Sequence, residues 1–474
     1  MGIIKQLINY DRPLTIIVFL TFCLYCVHSI VRHHLFLTAV LDLGIYSHIV
    51  WLYSQFQTTS VLLHYSPFVT HFEPILFFLA PLYRIFPSPI TLLVVQALCV
   101  SLSGIFIYKI VTDLTQHKLL SYTILLNYYS AIGILFAINW EFHPETMAIL
   151  PLSMLIYAWH FQKNKWLFSL VPFMFLFKET MPFFTVAIGL LYLSKKRIYP
   201  GIAIIILSIL SFYIIKAFIT SIPYPEGLTN QSDYYLNSSP IPISNPQKIP
   251  EFLLTLPHLV PQTLFGSELK NQNTLLLFTQ YLYLPILSPI TYLTVIPYLF
   301  IRYSSSFINA WTYYFHYNVL LEPLLVLATT NVIVAILKNR IVSKWLQPKH
   351  LAIQLLLLAT LKTIISPLFV LPSNILSISE VTYAHEALKL LPPQASVCSQ
   401  ESIMAHIINR KNIHICLLDR YENFDYVILS RKLPPVRITE SEMNTMFDNL
   451  QQNPNWQVIY NQNELHIFNK KELK

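Results

Sequence analysis

The sequence predicts a polytopic α-helical membrane protein that carries a small α/β domain at its C-terminal end. Three observations predict it. Of the 474 residues, 54% are apolar and only 11% charged, less than half the charged share of an ordinary soluble protein; the mean hydropathy is +0.52. Isoleucine- and leucine-rich runs recur from Ile16 to Val370 between short polar clusters, as successive membrane helices require. From residue 372 the composition turns to that of a soluble domain. A disordered chain, a fibrous chain and an ordinary soluble enzyme are excluded. The formal charge of +8 comes from Lys and Arg clustered between apolar runs, where it sets topology. No basic face or nucleic-acid motif accompanies it, so nucleic acid is not an expected partner.

Lys5 and Arg12 precede the first apolar run, at about 13–31, and place the N-terminus in the cytoplasm. That run lacks a small-x-small cleavage site and is a retained helix. Lys109 and Lys118 bracket a cytoplasmic turn between helices at about 89–110 and 119–138. Lys163 with Lys165, then Lys195, Lys196 and Arg197, then Lys338, Arg340, Lys344 and Lys349 mark further cytoplasmic turns. The corresponding helices fall near 146–162, 166–177, 181–194, 198–219, 274–288, 289–301, 318–337 and 350–369. About eleven spans result, with the C-terminus outside.

Residues 32–88 then form one long external loop. A span at His71–Arg84 would turn every later basic cluster outward, so this stretch and Leu41–His48 are expected as juxtamembrane helices lying on the membrane surface. A second large external loop, 221–273, is rich in Pro, Ser, Asn and Tyr and suits either a lid ordered on binding or a connector. Asn230-Gln-Ser and Asn237-Ser-Ser within it match glycosylation sequons. The transmembrane part is thus 1–371 and the soluble part 372–474. In the latter, Ala395–Cys398 and Asp425–Leu429 are expected strands with a helical stretch, Glu401–Asn409, between them. Glu440–Gln452 is an expected helix, and Trp456–Tyr460 with Leu465–Phe468 a closing hairpin. Cys23, Cys26 and Cys99 lie in apolar runs as packing residues; Cys398 and Cys416 could pair in an oxidising compartment.

This topology gathers charge on one side. Asp42, Glu73, Glu141, Glu145 and Glu179 all reach the external membrane edge, joined by His71, His143 and Lys178, and Glu322 opens the span at 318–337 from the same side. One such charge merely anchors a helix end, but five carboxylates from four separate connections line a site. A carboxylate there can act as general base toward an acceptor hydroxyl, and two or three could hold a divalent metal. Lys178, Arg84, Arg302 and the histidines could neutralise a phosphate leaving group. The arrangement suits a lipid-phosphate-linked substrate whose chain stays in the bilayer. Proton-coupled transport is the rival reading, but it favours midmembrane charges and internal repeats, and neither is evident.

Leu41-Asp42-Leu43-Gly44-Ile45-Tyr46, His71-Phe72-Glu73-Pro74, Phe142-His143-Pro144-Glu145 and Phe177-Lys178-Glu179 occur in this order. Tyr314-Phe315-His316-Tyr317-Asn318 and Leu391-Pro392-Pro393-Gln394-Ala395-Ser396-Val397 continue the series. The ordered set resembles the bacterial predicted membrane proteins grouped as domain of unknown function 2079, over nearly the whole chain. That family is similar to the GT-C membrane glycosyltransferases, which transfer sugars from polyprenyl-phosphate donors on the outer side of the membrane. The resemblance implies a catalytic acid at Asp42 in the first external loop and a second acidic motif at Glu141–Glu145. Asp42 would deprotonate or orient an acceptor hydroxyl. Glu145, with Glu73 and Glu141, would position the acceptor or a divalent metal, although Asp42 lacks the neighbouring acid that would favour metal dependence. Lys178, His143 and His316 would face the donor phosphate, with His71 and Glu179 completing the substrate-binding set. A polyprenyl-phosphate-linked sugar and membrane lipid are the expected partners, and the bacterial cytoplasmic membrane the expected location. A transporter or flippase of a lipid-linked solute and a non-catalytic envelope assembly protein are the alternatives.

Overall fold

Apolar runs too long for a soluble core become membrane helices. The computed structural model describes residues 11–471 apart from 61, 63–65, 224–248, 342–345, 370–375, 434 and 436. Lys5, the two sequons, Lys344 and the boundary at 371/372 lie outside the described residues. The first helix, Arg12–His34, starts where the Asp11 carboxylate accepts the Leu14 N–H at 3.3 Å, and Pro13 fits its first turn. Phe19, Leu20 and Val27 point outward from it, as lipid-facing residues do.

Among the described residues, four helices are long and apolar enough to cross a membrane alone: Arg12–His34, Pro89–Thr115, Ile198–Ser221 and His316–Lys338. A fifth crossing is made if Lys118–Tyr129 and Ile132–Trp140, bent by 41° at their junction, act together. The other apolar helices are shorter, so a count of eleven rests on the spacing of the basic clusters. Helix breaks explain most differences from the expected ranges. Pro172 lies inside Leu167–Met174, and Leu282 and Tyr283 take left-handed backbone angles after Glu268–Thr279. The expected helix at 274–288 therefore ends at Thr279.

The loop expected over 221–273 needs correction in its second half. Ile249–Phe265 is helical, and Ser267 caps the next helix, Glu268–Thr279. Pro257 and Pro261 inside the former, and polar residues throughout, hid the helical period. Between the first two long helices the short helices Ile45–Ser54 and Ile75–Ile85 pack on each other, with Tyr53 stacked on Phe77 at 4.0 Å.

The C-terminal region is a five-stranded sheet in the order β2-β1-β3-β5-β4. Its strands are β1 (Val397–Ser399), β2 (Ile413–Ile415), β3 (Tyr426–Ser430), β4 (Trp456–Gln462) and β5 (Leu465–Lys470). β1 pairs in parallel with β2 and β3, while β5 runs antiparallel to β3 and β4. The helical stretch after β1 is only Glu401–Met404, shorter than expected, because the chain leaves the helix to dock on the membrane part. Helix Glu440–Gln452 is fixed by a capping box between Thr439 and Glu442. Cys398 and Cys416 form a disulfide.

Two contacts make the sheet region part of the membrane architecture. Phe36 and Val40, just after the first helix, are buried in one apolar cluster with Leu376, Ile403, Met404 and Leu465. Tyr83 donates its hydroxyl to Asn409 Oδ1 at 3.0 Å, and Asn409 Nδ2 donates to the Pro87 carbonyl at 2.7 Å. The sheet domain thereby holds the segment that carries Asp42.

Candidate active site

The site is built around an amide inside an apolar helix. Gln96, from Pro89–Thr115, donates Nε2 to the Glu141 carbonyl at 2.6 Å and accepts the His143 N–H at 2.8 Å. These bonds fix the turn after Ile132–Trp140. Pro144 then opens the short helix Pro144–Met147, with Glu145 in its first turn. The Glu141 carboxylate turns back and accepts the N–H groups of Ala39 and Leu43, each at 2.8 Å. Those bonds hold the π-helical turn Val40–Gly44. A Cβ at position 44 would come within 2.9 Å of Val40 Cγ2, so the turn needs Gly44. Burial and the neighbouring charge of Asp42 push the Glu141 carboxyl up. Glu141→Gln would set an amide NH₂ against a backbone N–H. The expected cost is about 1–3 kcal/mol of stability, read as a lower thermal midpoint than that of wild type.

Asp42 stands at one end of a row of side chains. Its Oδ2 accepts the Trp140 indole N–H at 2.8 Å, and its Oδ1 lies 3.2 Å from His143 Nε2. His143 stacks on His316, ring centroids 3.6 Å apart. His316 Nε2 lies 3.5 Å from Glu145 Oε2, and Lys178 Nζ donates to that same oxygen at 2.8 Å. Glu145, Lys178, His143 and His316 are buried, whereas 29% of the Asp42 side chain is exposed, so Asp42 is the open end. Burial alone would raise the Asp42 carboxyl, but the His143 imidazole outweighs it and holds the group well below the usual carboxylate range. Burial likewise opposes ionisation of Glu145, and the Lys178 ammonium reverses the balance and keeps it strongly acidic. The buried Nδ1 atoms of His143 and His316 have no hydrogen-bond partner among the described residues.

His316 reaches this row from the 3₁₀ turn His316–Leu321. Gly133 lets the turn approach: a Cβ there would lie 2.8 Å from the Asn318 carbonyl. Arg302 clamps the chain around it, donating to the Tyr317 carbonyl at 3.0 Å, to Asn318 Oδ1 at 2.6 Å, and to the carbonyls of Thr312 and Ala310. Most of its N–H groups are thereby committed to structure.

The remaining carboxylates expected in the site face other partners. Glu179 pairs with His71 at 2.9 Å and accepts the Phe72 N–H at 3.0 Å, closing the entry to helix Ile75–Ile85. Glu73 accepts the Tyr46 hydroxyl at 3.1 Å, and the Tyr46 ring meets His143 edge-on, so Glu73 stands one side chain away from the row. Glu322 accepts the Gly133 N–H and the hydroxyl of Tyr281 within the bundle. Arg84 caps the Ser54 carbonyl beside Phe56.

Burial raises the Glu73 carboxyl from 4.5 to about 7. Below the unfolded value both states are protonated. Between the two values the unfolded chain ionises first, so stability falls as pH rises, by roughly 3 kcal/mol in all. Glu73→Gln should abolish that fall: thermal midpoints of wild type and variant should diverge between pH 5 and 7.5. Parallel profiles would contradict it.

Beyond Lys178 the row opens into a narrow groove, whose walls include Phe183, Phe212, Ile215 and Tyr298 with Lys216 and Arg302. Trp140, Gln96 and Lys216 were missed from sequence. A lone amide in Pro89–Thr115 and a lone charge in Ile198–Ser221 were the available signals. Among the described residues no three His, Cys, Asp or Glu side chains converge to hold a metal ion. The carboxylates are engaged by N–H groups, a tyrosine, histidines and a lysine instead, so the donor set does not fit a divalent cation.

Apolar helices with lipid-facing surfaces and a buried charged site at their edge define an integral membrane protein. The chain belongs to the family described as predicted membrane protein (DUF2079), which matches residues 32–467. Its fold is similar to the crystal structure of ArnT from Cupriavidus metallidurans bound to undecaprenyl phosphate. The TM-score is 0.55 at 11% identity, covering 96% of this chain and 97% of that one. No curated protein matches the sequence.

Proposed function

We propose that the protein is a membrane glycosyltransferase that moves a sugar from a polyprenyl-phosphate donor to an envelope acceptor. The reaction takes place on the outer face of the bacterial cytoplasmic membrane, with the N-terminus inside and the C-terminal domain outside. The observation that carries this reading is the row from Asp42 through His143, His316 and Glu145 to Lys178, ending in an apolar groove. An aromatic and aliphatic wall suits a polyprenyl chain, and Lys178 and Lys216 bring positive charge to its phosphate. The similarly folded ArnT was crystallised with undecaprenyl phosphate, which supports the lipid class. The Cys398–Cys416 disulfide supports an external, oxidising location for the sheet domain.

In the proposed step the acceptor oxygen attacks the anomeric carbon. The new C–O bond forms as the bond from that carbon to the phosphate oxygen breaks, and its electron pair leaves on polyprenyl phosphate. Positive charge from Lys178 offsets the growing negative charge on the leaving group. The acceptor's hydroxyl proton passes to Asp42, which His143 and Trp140 orient. A strongly acidic Asp42 suffices as base here. Bond formation turns the acceptor oxygen into an oxonium far more acidic than a carboxylic acid, so the proton moves late. Glu145 keeps Lys178 directed at the groove.

The test is incubation of membranes with labelled polyprenyl-phosphate sugars, wild type against Asp42→Asn. The reading expects a covalent glycosyl product from the wild type alone. Solute movement without any product would favour a transporter.

A further inference from the structure

We propose that a second, basic pocket, between the C-terminal domain and the membrane edge, binds a phosphate-bearing group. Two pairs of basic side chains, each a histidine with a cation four residues on, meet there. Helix Ile378–Leu388 and its cap supply His385 and Lys389, and the segment after Glu401–Met404 supplies His406 and Arg410. The space between them is an open pocket whose lining contains no Asp or Glu.

Arg410 is the residue that demands a partner. It is only 9% exposed. Among the described residues its one acceptor is the Pro392 carbonyl, 2.5 Å from Nη1, and no carboxylate lies within ion-pair distance. A buried guanidinium with five N–H donors is costly to leave in this state. Arg302, also buried, shows the alternative: it has four oxygen acceptors. His406 packs between His33 and Phe36, with ring centroids at 4.2 and 4.1 Å, so the charge that reaches the pocket is that of Arg410 and Lys389. His385 is fixed by the His34 carbonyl at 3.0 Å and stands edge-on to His406. Lys389 is exposed at the rim.

The position selects the ligand's chemistry. Pro89, at the start of a membrane helix, lines the pocket, and Asn409 beside Arg410 is bonded to the Pro87 carbonyl. Ile85 and Phe86, on the same turn, are 69% and 59% exposed, and Leu390 next to Lys389 is exposed as well. Apolar side chains at a membrane helix end, with cations just above them, match a lipid's acyl chains and its phosphate. A planar guanidinium is suited to bidentate phosphate recognition. The shared chemistry is a phosphate mono- or diester, supplied by an anionic lipid headgroup or as the free ion. None of the pocket's residues belongs to the Asp42–Lys178 row, so the inference stands apart from the proposed transfer.

The test uses the full chain in phosphatidylcholine nanodiscs, titrated with dihexanoyl phosphatidic acid and separately with inorganic phosphate. Saturable binding is expected, weakened at least tenfold in Arg410→Gln and about threefold in Lys389→Gln. Preference for phosphatidic acid assigns the site to a lipid headgroup, and equal affinities assign it to free phosphate. Lys389 is exposed, so Lys389→Gln decides alone if Arg410→Gln does not fold. Unchanged affinity in the variants, or no saturable binding of either probe, would overturn the proposal.

Discussion

Asp42→Asn is expected to lower sugar transfer by about 10²–10⁴-fold, the usual contribution of a positioned general base, while the protein remains folded. The substitution preserves the shape of the side chain and an oxygen for the Trp140 N–H, which now lies 2.8 Å from Oδ2. It removes the charge beside His143 and the capacity to take a proton. The turn itself is held by Glu141 through Ala39 and Leu43, so its geometry does not depend on the Asp42 charge. If Asp42 served only packing, Asn would be nearly silent. Comparing initial rates with thermal midpoints separates the two: a rate loss at an unchanged midpoint identifies chemistry, and equal rates end Asp42's candidacy.

The second large effect lies at the other end of the row. Lys178→Met leaves Glu145 buried with its strongest partner gone, and removing one member of such a pair typically costs 3–5 kcal/mol. His316, 3.5 Å from the same oxygen, offsets part of that loss. The double variant Lys178→Met with Glu145→Leu replaces the pair by apolar groups of similar size, which is often neutral for stability or better. Its thermal midpoint should therefore recover. Sugar transfer should not, because the charge facing the leaving phosphate is still missing. Recovery of both properties would reduce Lys178 and Glu145 to structural partners.

What was legible in the sequence follows from where the physics is local. Arg12–His34 and Pro89–Thr115 were visible because a membrane helix must be apolar over its whole length. Ile249–Phe265 was not visible, since its two internal prolines and polar flanks read as loop. β2, three residues long, was too short for an alternating pattern. Asp42, His143, Glu145 and Lys178 each stood out as polar residues at a membrane edge, and His316 through the resemblance carried by Tyr314–Asn318. Their partners did not. Glu141 and Glu179 look equivalent to Glu145 along the chain, yet they accept backbone N–H groups of the segment between the first two long helices. That distinction depends on neighbours about a hundred residues away. The burial of Phe36 and Val40 in the sheet domain is equally non-local, and no pattern in residues 36–44 announces it.

The central claim is that one row of side chains transfers a sugar from polyprenyl phosphate. The most direct measurement follows both products with purified protein in nanodiscs, using polyprenyl-phosphate sugars labelled in the sugar and, separately, in the lipid. The account predicts that sugar label enters an acceptor at the rate at which free polyprenyl phosphate appears, and that Asp42→Asn abolishes both together. Wild-type protein that releases no polyprenyl phosphate from any donor, yet carries lipid-linked solute across a proteoliposome membrane in a manner dependent on Asp42, would contradict it.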